Sequence, residues 1–207
     1  METAELRVGG LLPHTTIDYP GELAAVVFCQ GCPWRCRYCH NPDLLSPVSD
    51  SSMTWSTVTA FLRKRRRLLD AVVFSGGEPT LQPALEAAVT EVKTLGFKVG
   101  LHTAGIYPGR LARLISRLDW VGLDVKALPA DYRAITGVKG SGVRAWESAR
   151  LVIASGVAYE LRITVHPALT DRRQVAEVAA RLAALGAPGI VERPCRLADC
   201  LDPALST

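Results

Sequence analysis

The stretch YELRITV, residues 159–165, decides the fold because polar and apolar residues alternate along it. Successive side chains of a β-strand point to opposite faces of the sheet, so Glu160, Arg162 and Thr164 share one face. The apolar residues between them share the other. A parallel strand with helices on both faces reads as a nearly continuous apolar run. This strand is therefore predicted to have one face under a helix and one face toward a polar interior.

The stretch WVGLDVK, residues 120–126, repeats the pattern and places Asp124 and Lys126 on one face. Two such strands predict a curved sheet that encloses a pocket. Short apolar runs and longer segments of helical period alternate six times along the chain, which is typical of a parallel α/β architecture. A closed eight-stranded barrel takes about 250 residues. Six strands in 207 residues favour a partial (β/α)6 barrel of parallel strands.

The boundaries of the elements follow from the same alternation. The predicted strands cover residues 24–30, 71–75, 98–103, 120–126, 159–165 and 189–194. The predicted helices cover residues 53–69, 82–95, 109–118, 143–155 and 171–185. Gly156 and Gly186 follow the last two helices in the position of a left-handed cap. Residues 16–21, TIDYPG, have the composition of a turn.

Composition sets the limits of the molecule. At 207 residues and 48% hydrophobic content, the chain is predicted to be a single domain over residues 1–207, with a core at about 22–195 and short terminal extensions. No apolar run approaches the roughly 18 residues of a membrane span, and the N-terminus lacks the layout of a signal peptide, so a cytoplasmic protein is expected. A net charge of +4 is too mild to indicate nucleic-acid binding.

The residues that carry unusual chemistry cluster at the carboxyl ends of the predicted strands. A cysteine-rich loop follows the first strand, SGGEP at residues 75–79 ends the second, and His102 and Thr103 end the third. Asp124 and Lys126 end the fourth strand. Active sites of parallel βα folds form at this edge of the sheet. The sequence therefore predicts one site there.

The loop FCQGCPWRCRYCHNP, residues 28–42, contains four cysteines. In a reducing compartment such crowding indicates metal binding rather than disulfides. Cys32, Cys36 and Cys39 are spaced as Cys-x3-Cys-x2-Cys, and three thiolates can hold three irons of a [4Fe–4S] cluster while the fourth iron stays open to a substrate or cofactor. The alternative is structural zinc, which would need Cys29 or His40 as a fourth ligand.

The cysteine loop, with Tyr38 before its last cysteine and GGEP at residues 76–79 after the next strand, resembles the radical S-adenosylmethionine (SAM) superfamily. The series IDYPG, CQGCPWRCRYCHNP, FSGGEP, LHTAG, LDVK and RITVHP resembles its glycyl-radical-enzyme activating enzymes. Among these it is most similar to the activating protein of anaerobic ribonucleoside-triphosphate reductase. The likeness extends from about Leu11 to CLDP near the C-terminus, and it implies a partial (β/α)6 barrel of the radical SAM type.

The resemblance also implies residue roles. Cys32, Cys36 and Cys39 would bind one [4Fe–4S] cluster, whose open iron would be chelated by the methionine part of SAM. The residues implied to bind SAM are Tyr38 beside the adenine, Ser75, Gly76, Gly77 and Glu78 near the amino group, and Thr103, Asp124 and Lys126. Lys126 and Arg162 would support catalysis.

The implied reaction begins with one electron from a flavodoxin or ferredoxin, which cleaves SAM and produces a 5′-deoxyadenosyl radical. That radical would take a hydrogen atom from a glycine of a partner glycyl radical enzyme, with anaerobic ribonucleoside-triphosphate reductase as the expected partner. The alternatives are a partner similar to pyruvate formate-lyase, and a radical SAM enzyme that acts on a small molecule, as 7-carboxy-7-deazaguanine synthase does. A zinc-binding interaction module is the alternative from another class.

Several residues keep two interpretations. Arg162 either contacts SAM or the incoming peptide, or forms an ion pair with Glu160 or Asp124. Activases of pyruvate formate-lyase typically carry Asp where this chain has His102, which leaves open whether a monovalent cation site exists. His166 is interpreted as structural.

The three remaining cysteines are Cys29, Cys195 and Cys200. They either help to hold a second cluster or are a buried small residue and two thiols at the edge of the pocket. No cysteine-rich insert separates the cysteine loop from the GGEP segment, and this favours the second interpretation.

Overall fold

A computed structural model of the chain describes residues 5–48 and 53–205, and the predicted domain limits at residues 1 and 207 lie outside this part. Seven strands form one sheet in the order β1-β2-β3-β4-β5-β6-β7. The strands are β1 (Val8–Thr15), β2 (Ala24–Cys29), β3 (Ala71–Gly76), β4 (Lys98–Thr103), β5 (Trp120–Asp124), β6 (Ala158–Val165) and β7 (Val191–Pro194). Strands β2 to β7 are parallel, and β1 pairs antiparallel with β2. The six predicted parallel strands are confirmed.

Six α-helices accompany the sheet. They are α1 (Trp55–Arg65), α2 (Leu85–Thr94), α3 (Pro108–Leu114), α4 (Tyr132–Thr136), α5 (Ser141–Ala154) and α6 (Arg172–Ala183). All five predicted helices are present. Four of them are three to six residues shorter than predicted, and α5 is one residue longer. Gly156 and Gly186 have φ of 76° and 95°, as the predicted caps require.

Strand β1 is an element that the sequence did not reveal. Its sequence VGGLLPHT contains two glycines and Pro13, which are unusual inside a strand. Strand β1 is at the edge of the sheet, where a proline removes no essential ladder bond, and its pairing with β2 shifts register twice. The sheet thus begins before the predicted core limit at residue 22.

The helices cover the convex face of the sheet and form the main core with it. Val27, Phe74 and Leu101 of neighbouring strands are fully buried in this core. Leu161 and Ile163, the apolar residues predicted to face a helix, lie in the same core at 2% and 0% exposure. Burial of each such side chain contributes about 1.5–3 kcal/mol. The alternation in residues 159–165 therefore predicted the correct face.

The concave face is apolar at the amino ends of the strands and polar at their carboxyl ends. A second buried cluster, which includes Val26, Val73 and Trp120, closes the amino end. Tyr19, from the predicted turn, stacks on Trp120 with ring centroids 5.3 Å apart. Polar side chains follow further along the strands, so the concave face forms a pocket that opens at one end.

The short helix α4 was also not predicted. Its five residues fall below the length at which helical periodicity can be recognised. Tyr132 of this helix is fully buried, and its hydroxyl accepts a hydrogen bond from the backbone N–H of Lys126 at 2.9 Å. Among the helices of the described residues, none combines the length and apolar character needed to cross a lipid bilayer.

Candidate functional site

The open end of the concave face holds a cavity of about 460 Å³. This volume falls in the range of about 300–1,000 Å³ that is usual for small-molecule sites. The predicted site residues that line it are Cys32, Cys36, Tyr38, Cys39, Ser75, Gly76, Gly77, Thr103, Asp124, Lys126 and Arg162. The fold therefore brings to one cavity all but one of the predicted site residues, from five different segments of the chain.

Backbone hydrogen bonds hold the cysteine loop from two sides. The N–H groups of Arg35 and Arg37 donate to carbonyl groups of α4, at 3.1 and 2.9 Å. On the other side, the N–H of Leu201 donates to the carbonyl of Cys39 at 3.1 Å. Trp34 is buried between these contacts, with its ring 6.0 Å from that of Tyr132. The loop is thus shaped by bonds that do not involve the thiols.

The environment of Cys32 and Cys36 is unfavourable to bare thiolates. Burial raises the pKa of Cys32 to about 12, although the backbone N–H of Trp34 opposes the shift. Burial also raises the pKa of Cys36, against the opposing charge of Lys126. A bound metal centre would hold these half-buried sulfurs in the ionised form. Three thiols on one loop, with the Lys126 cation nearby, fit an iron–sulfur cluster that is anionic with its thiolate ligands.

The glycines of the SGGEP segment are required by packing against the start of the cysteine loop. Gly76 has φ of 107°, and a Cβ there would lie 2.5 Å from the backbone nitrogen of Cys29. A Cβ on Gly77 would overlap the carbonyl oxygen of Gly31. The N–H of Gly77 donates to the carbonyl of Cys29 at 2.9 Å. These contacts fix the SGGEP turn against the strand that leads into the cysteine loop.

Glu78 is the predicted site residue that does not line the cavity. Its side chain is fully buried and accepts four hydrogen bonds: from the N–H and hydroxyl of Thr80 at 3.1 and 2.5 Å, the hydroxyl of Thr103 at 2.7 Å and the N–H of Ala104 at 3.0 Å. Burial raises the pKa of Glu78, while these four donors lower it. The carboxylate thus joins the ends of β3 and β4 behind the cavity wall. The sequence could not reveal this direction, since the motif fixes only the position of the residue.

Two cations flank Asp124 at the centre of the cavity. Its carboxylate oxygens lie 3.6 Å from the Nζ of Lys126 and 3.4 Å from the Nε of Arg162. Burial acts to raise the pKa of Asp124, but Lys126 and Arg162 outweigh it and lower that pKa. The Lys126 ammonium also lies 5.3 Å from the centre of the Tyr38 ring. This group combines an acceptor for ligand N–H or O–H groups with donors for a ligand carboxylate.

Arg162 both lines the cavity and forms ion pairs. Besides Asp124, its Nε lies 3.9 Å from a carboxylate oxygen of Glu160. Its guanidinium occupies the space above Gly122, where a Cβ would overlap it. Its Nε makes no hydrogen bond of ordinary geometry with any described residue. The two interpretations of Arg162 are therefore compatible: the ion pairs orient a guanidinium that faces the cavity.

His102 lies beside this group and is neutral at ordinary pH. Its Nε2 lies 2.8 Å from the carbonyl oxygen of Asp18, so Nε2 carries the proton and donates it to that oxygen. Its Nδ1 then accepts from the hydroxyl of Ser75 at 3.4 Å. Burial, reinforced by the charge of Arg162, lowers the pKa of His102 to about 4. His102 thus orients Ser75 at the cavity wall.

The hydroxyl group of Tyr38 indicates that the cavity is suited to a polar ligand. Its hydroxyl is buried and has no hydrogen-bond partner among the described residues. An unpaired buried hydroxyl lowers the free energy of unfolding by about 1–3 kcal/mol, and such hydroxyls are rare in folded proteins. A polar ligand in the cavity could supply the partner. Together with the three thiols, this hydroxyl fits a site that is completed by a cluster and a small polar cofactor.

Other cavity residues were not predicted as site residues. They include Trp34, Arg193 and Arg196. Arg193 lies near the end of β7 and pairs with Glu160 at 2.9 Å, so its position at a strand end was a usable signal. Arg196 reaches the cavity only because the C-terminal segment returns to the cysteine loop, and no local pattern shows that return.

The cysteines outside the predicted site divide into two groups. Cys29 is fully buried in the convex core. Cys195 and Cys200 lie together, with their sulfurs 3.7 Å apart, next to His40. This arrangement agrees with the favoured interpretation, a buried small residue and two thiols near the edge of the pocket. His166 is buried away from the cavity and donates from Nε2 to the carbonyl of Leu205 at 2.9 Å, which confirms a structural role.

Comparisons with known proteins agree with the predicted family and fold. The model of the radical SAM superfamily matches residues 26–181. A protein of Methanocaldococcus jannaschii, assigned by name to the glycyl-radical enzyme activating enzymes, is 31% identical over 182 residues, which are 83% of this chain and 73% of that protein. The pyruvate formate-lyase-activating enzyme of Clostridium pasteurianum is 33% identical over 175 residues, 81% of this chain and 72% of the relative.

Among solved structures, SuiB of Streptococcus suis bound to S-adenosylmethionine superposes with a TM-score of 0.64 at 15% identity. The superposition covers 81% of this chain and 39% of SuiB, so the chain spans less than half of that protein. At this identity the likeness concerns the fold alone. It confirms the predicted α/β fold of the radical SAM type.

The fold and the cavity define an α/β enzyme with a cofactor site at the mouth of a partial barrel. The chain belongs to the radical SAM superfamily and, within it, to the glycyl-radical-enzyme activating enzymes. It is a radical SAM oxidoreductase, and its cofactors are a [4Fe–4S] cluster and S-adenosylmethionine. The predicted family is confirmed.

Proposed function

We propose that this protein activates a glycyl radical enzyme, and that the partner is anaerobic ribonucleoside-triphosphate reductase. The observation that carries the proposal is the meeting of the three cysteines with the SGGEP turn and Asp124 in one cavity. The motif series quoted above supports the choice of partner. When bound, a reduced [4Fe–4S] cluster supplies the electron that cleaves SAM, and the cavity residues bind and orient the reactants.

In this proposal Cys32, Cys36 and Cys39 are the three cluster ligands. Lys126 lies near both the thiols and Asp124, where its charge stabilises anionic groups of the cluster and of the SAM carboxylate. Backbone groups of Ser75, Gly76 and Gly77 in the SGGEP turn would bind the SAM amino group. Tyr38 would bind the adenine.

Glu78 has a different part in this proposal from the one implied by resemblance. Its carboxylate binds Thr80, Thr103 and Ala104 rather than facing the cavity. It therefore positions the SGGEP turn, and Thr103 supports the cavity wall through the same carboxylate. Arg162, oriented by Asp124, faces the incoming substrate.

A peptide loop is the substrate form that we propose, with a flavodoxin or ferredoxin as the electron donor. The cavity opens at the end of the sheet, and exposed Ile17 and the side chain of Arg196 are at its rim. The closed apolar end behind Trp120 excludes water from the reacting atoms.

The test mixes the anaerobically reconstituted protein, SAM and a reductant with the candidate partner, and follows the glycyl radical by EPR. The expected result is a glycyl doublet with ribonucleotide reductase, together with 5′-deoxyadenosine. The Cys36→Ser variant should abolish both, while Cys29→Ala, a cysteine outside the cavity, should retain them. Turnover by Cys36→Ser would contradict the ligand assignment, and a doublet only with a formate-lyase-like enzyme would replace the partner.

A further inference from the structure

A second group of metal-ligand atoms lies at the rim of the cavity. Among residues 5–48 and 53–205, one set of three His, Cys, Asp or Glu residues has its ligand atoms within 4.8 Å of one another: His40, Cys195 and Cys200. His40 directly follows Cys39 in the cysteine loop, and Cys195 follows β7. The set therefore joins two segments that are 155 residues apart in sequence.

Two of the three distances within this set match the edges of a zinc tetrahedron, and the third is below 4.8 Å. The sulfur of Cys195 lies 3.5 Å from Nε2 of His40 and 3.7 Å from the sulfur of Cys200. A tetrahedral zinc ion with Zn–S bonds of about 2.3 Å and a Zn–N bond of about 2.0 Å separates sulfur from nitrogen by about 3.5 Å and sulfur from sulfur by about 3.8 Å. Ligands of one ion, rather than of separate irons in a cluster, have this spacing.

The carbonyl oxygen of Arg196 lies close to all three ligand atoms. It is 3.0 Å from Nε2 of His40, 3.7 Å from the sulfur of Cys195 and 3.5 Å from that of Cys200. Two thiols and one imidazole nitrogen thus converge with one carbonyl oxygen. Four donor atoms in this arrangement can surround a cation once the two thiols lose their protons.

We propose that His40, Cys195 and Cys200 form a mononuclear zinc site, with the Arg196 carbonyl as the fourth ligand. Two thiolates and an imidazole are ligands typical of zinc. Binding of Zn²⁺ releases two thiol protons, and the imidazole binds through Nε2 with its proton on Nδ1. Two thiolates balance the charge of the ion, so the site adds no net charge beside the cluster loop.

The zinc site fastens the C-terminal segment to the loop that follows Cys39. The same segment already donates hydrogen bonds from Leu201 to Cys39 and from Asp202 to Arg37, at 3.1 and 2.8 Å. Zinc adds a stronger link at the cavity rim, where His40 and Arg196 line the opening. Its role is to hold this rim in place, separately from the [4Fe–4S] cluster.

Metal analysis and zinc X-ray absorption of the cluster-loaded protein, purified anaerobically and supplied with Zn²⁺, test the proposal. We expect about one zinc per chain beside about four irons, and a zinc shell of two sulfurs at about 2.3 Å and two nitrogen or oxygen atoms at about 2.0–2.1 Å. Cys195→Ser and Cys200→Ser should each lose at least nine-tenths of the zinc and retain the iron. Cys29→Ala, the matched control, should retain both metals.

Several results would overturn the zinc site. They are zinc that persists in Cys200→Ser, a shell of four sulfurs, zinc below one-tenth per chain in the wild type, and a Cys195–Cys200 disulfide in protein kept under reductant. Iron above four per chain that disappears in Cys200→Ser would assign a cluster instead. Retained iron shows that a variant is folded. If the variants do not fold, the zinc X-ray absorption spectrum of the wild type decides between the zinc site and its alternatives.

Discussion

The buried imidazole of His102 makes a quantitative prediction about stability and pH. Its pKa is about 4 in the folded chain, because of burial first and the charge of Arg162 second, against about 6.5 in an unfolded chain. The unfolded state therefore takes up a proton at a higher pH than the folded state. The contribution of His102 to the free energy of unfolding is therefore fully present above about pH 6.5 and is lost as the pH falls toward 4.

The size of the effect follows from the two pKa values. Their separation corresponds to a maximum of about 3 kcal/mol, of which about 2 kcal/mol is lost between pH 7 and pH 5. The variant His102→Gln cannot titrate, and its amide can still donate to the carbonyl of Asp18. We therefore expect the wild type to lose about 2 kcal/mol more free energy of unfolding than His102→Gln over this interval.

Equilibrium urea unfolding of both chains at pH 7 and pH 5, under identical anaerobic conditions, measures the difference. Contributions from the cluster and from other ionisable groups are common to both chains and cancel in the comparison. Equal losses in the two chains would refute the burial of a neutral imidazole. A larger loss in the variant would show that His102 is protonated and stabilising in the fold.

Two further substitutions test the cavity. Gly122→Ala places a methyl group where the guanidinium of Arg162 lies. We therefore expect the rate of 5′-deoxyadenosine formation, measured by chromatography, to fall at least tenfold while the iron content stays unchanged. An unchanged rate would contradict the proposed role of Arg162. Glu78→Gln turns an amide N–H₂ toward the N–H of Ala104. We expect the free energy of unfolding, measured with urea, to fall by about 1–3 kcal/mol. An unchanged free energy of unfolding would show that the four donors do not hold this carboxylate as an anion.

Local patterns were sufficient to predict the parallel strands and most of the cavity. Successive side chains of a strand point to opposite faces of the sheet. The alternation of polar and apolar residues therefore predicted that Arg162 and Lys126 lie on the concave face. The cysteines were found because they are close in sequence. Strand β1 was not predicted because Pro13 and two glycines are unusual inside a strand. Helix α4 was not predicted because its five residues are too few to show a helical period.

The proposed zinc ligands show what local patterns cannot predict. His40 and Cys195 meet because six strands and their helices carry the chain around the sheet before β7 ends near the cysteine loop. That meeting depends on the curvature of the whole sheet. Similarly, the motif SGGEP locates Glu78 but not the direction of its side chain, which is set by the hydrogen-bond donors at the end of β4.

The way the cysteine loop is held also determines what its variants can report. Hydrogen bonds from Arg35 and Arg37 to α4, and from Leu201 to Cys39, connect backbone groups and do not require any thiol. Cys36→Ser removes one sulfur and leaves these bonds intact, so the loop should keep its shape. Loss of iron in that variant can therefore be assigned to a missing ligand rather than to collapse of the loop, and loss of the glycyl radical follows from the missing cluster.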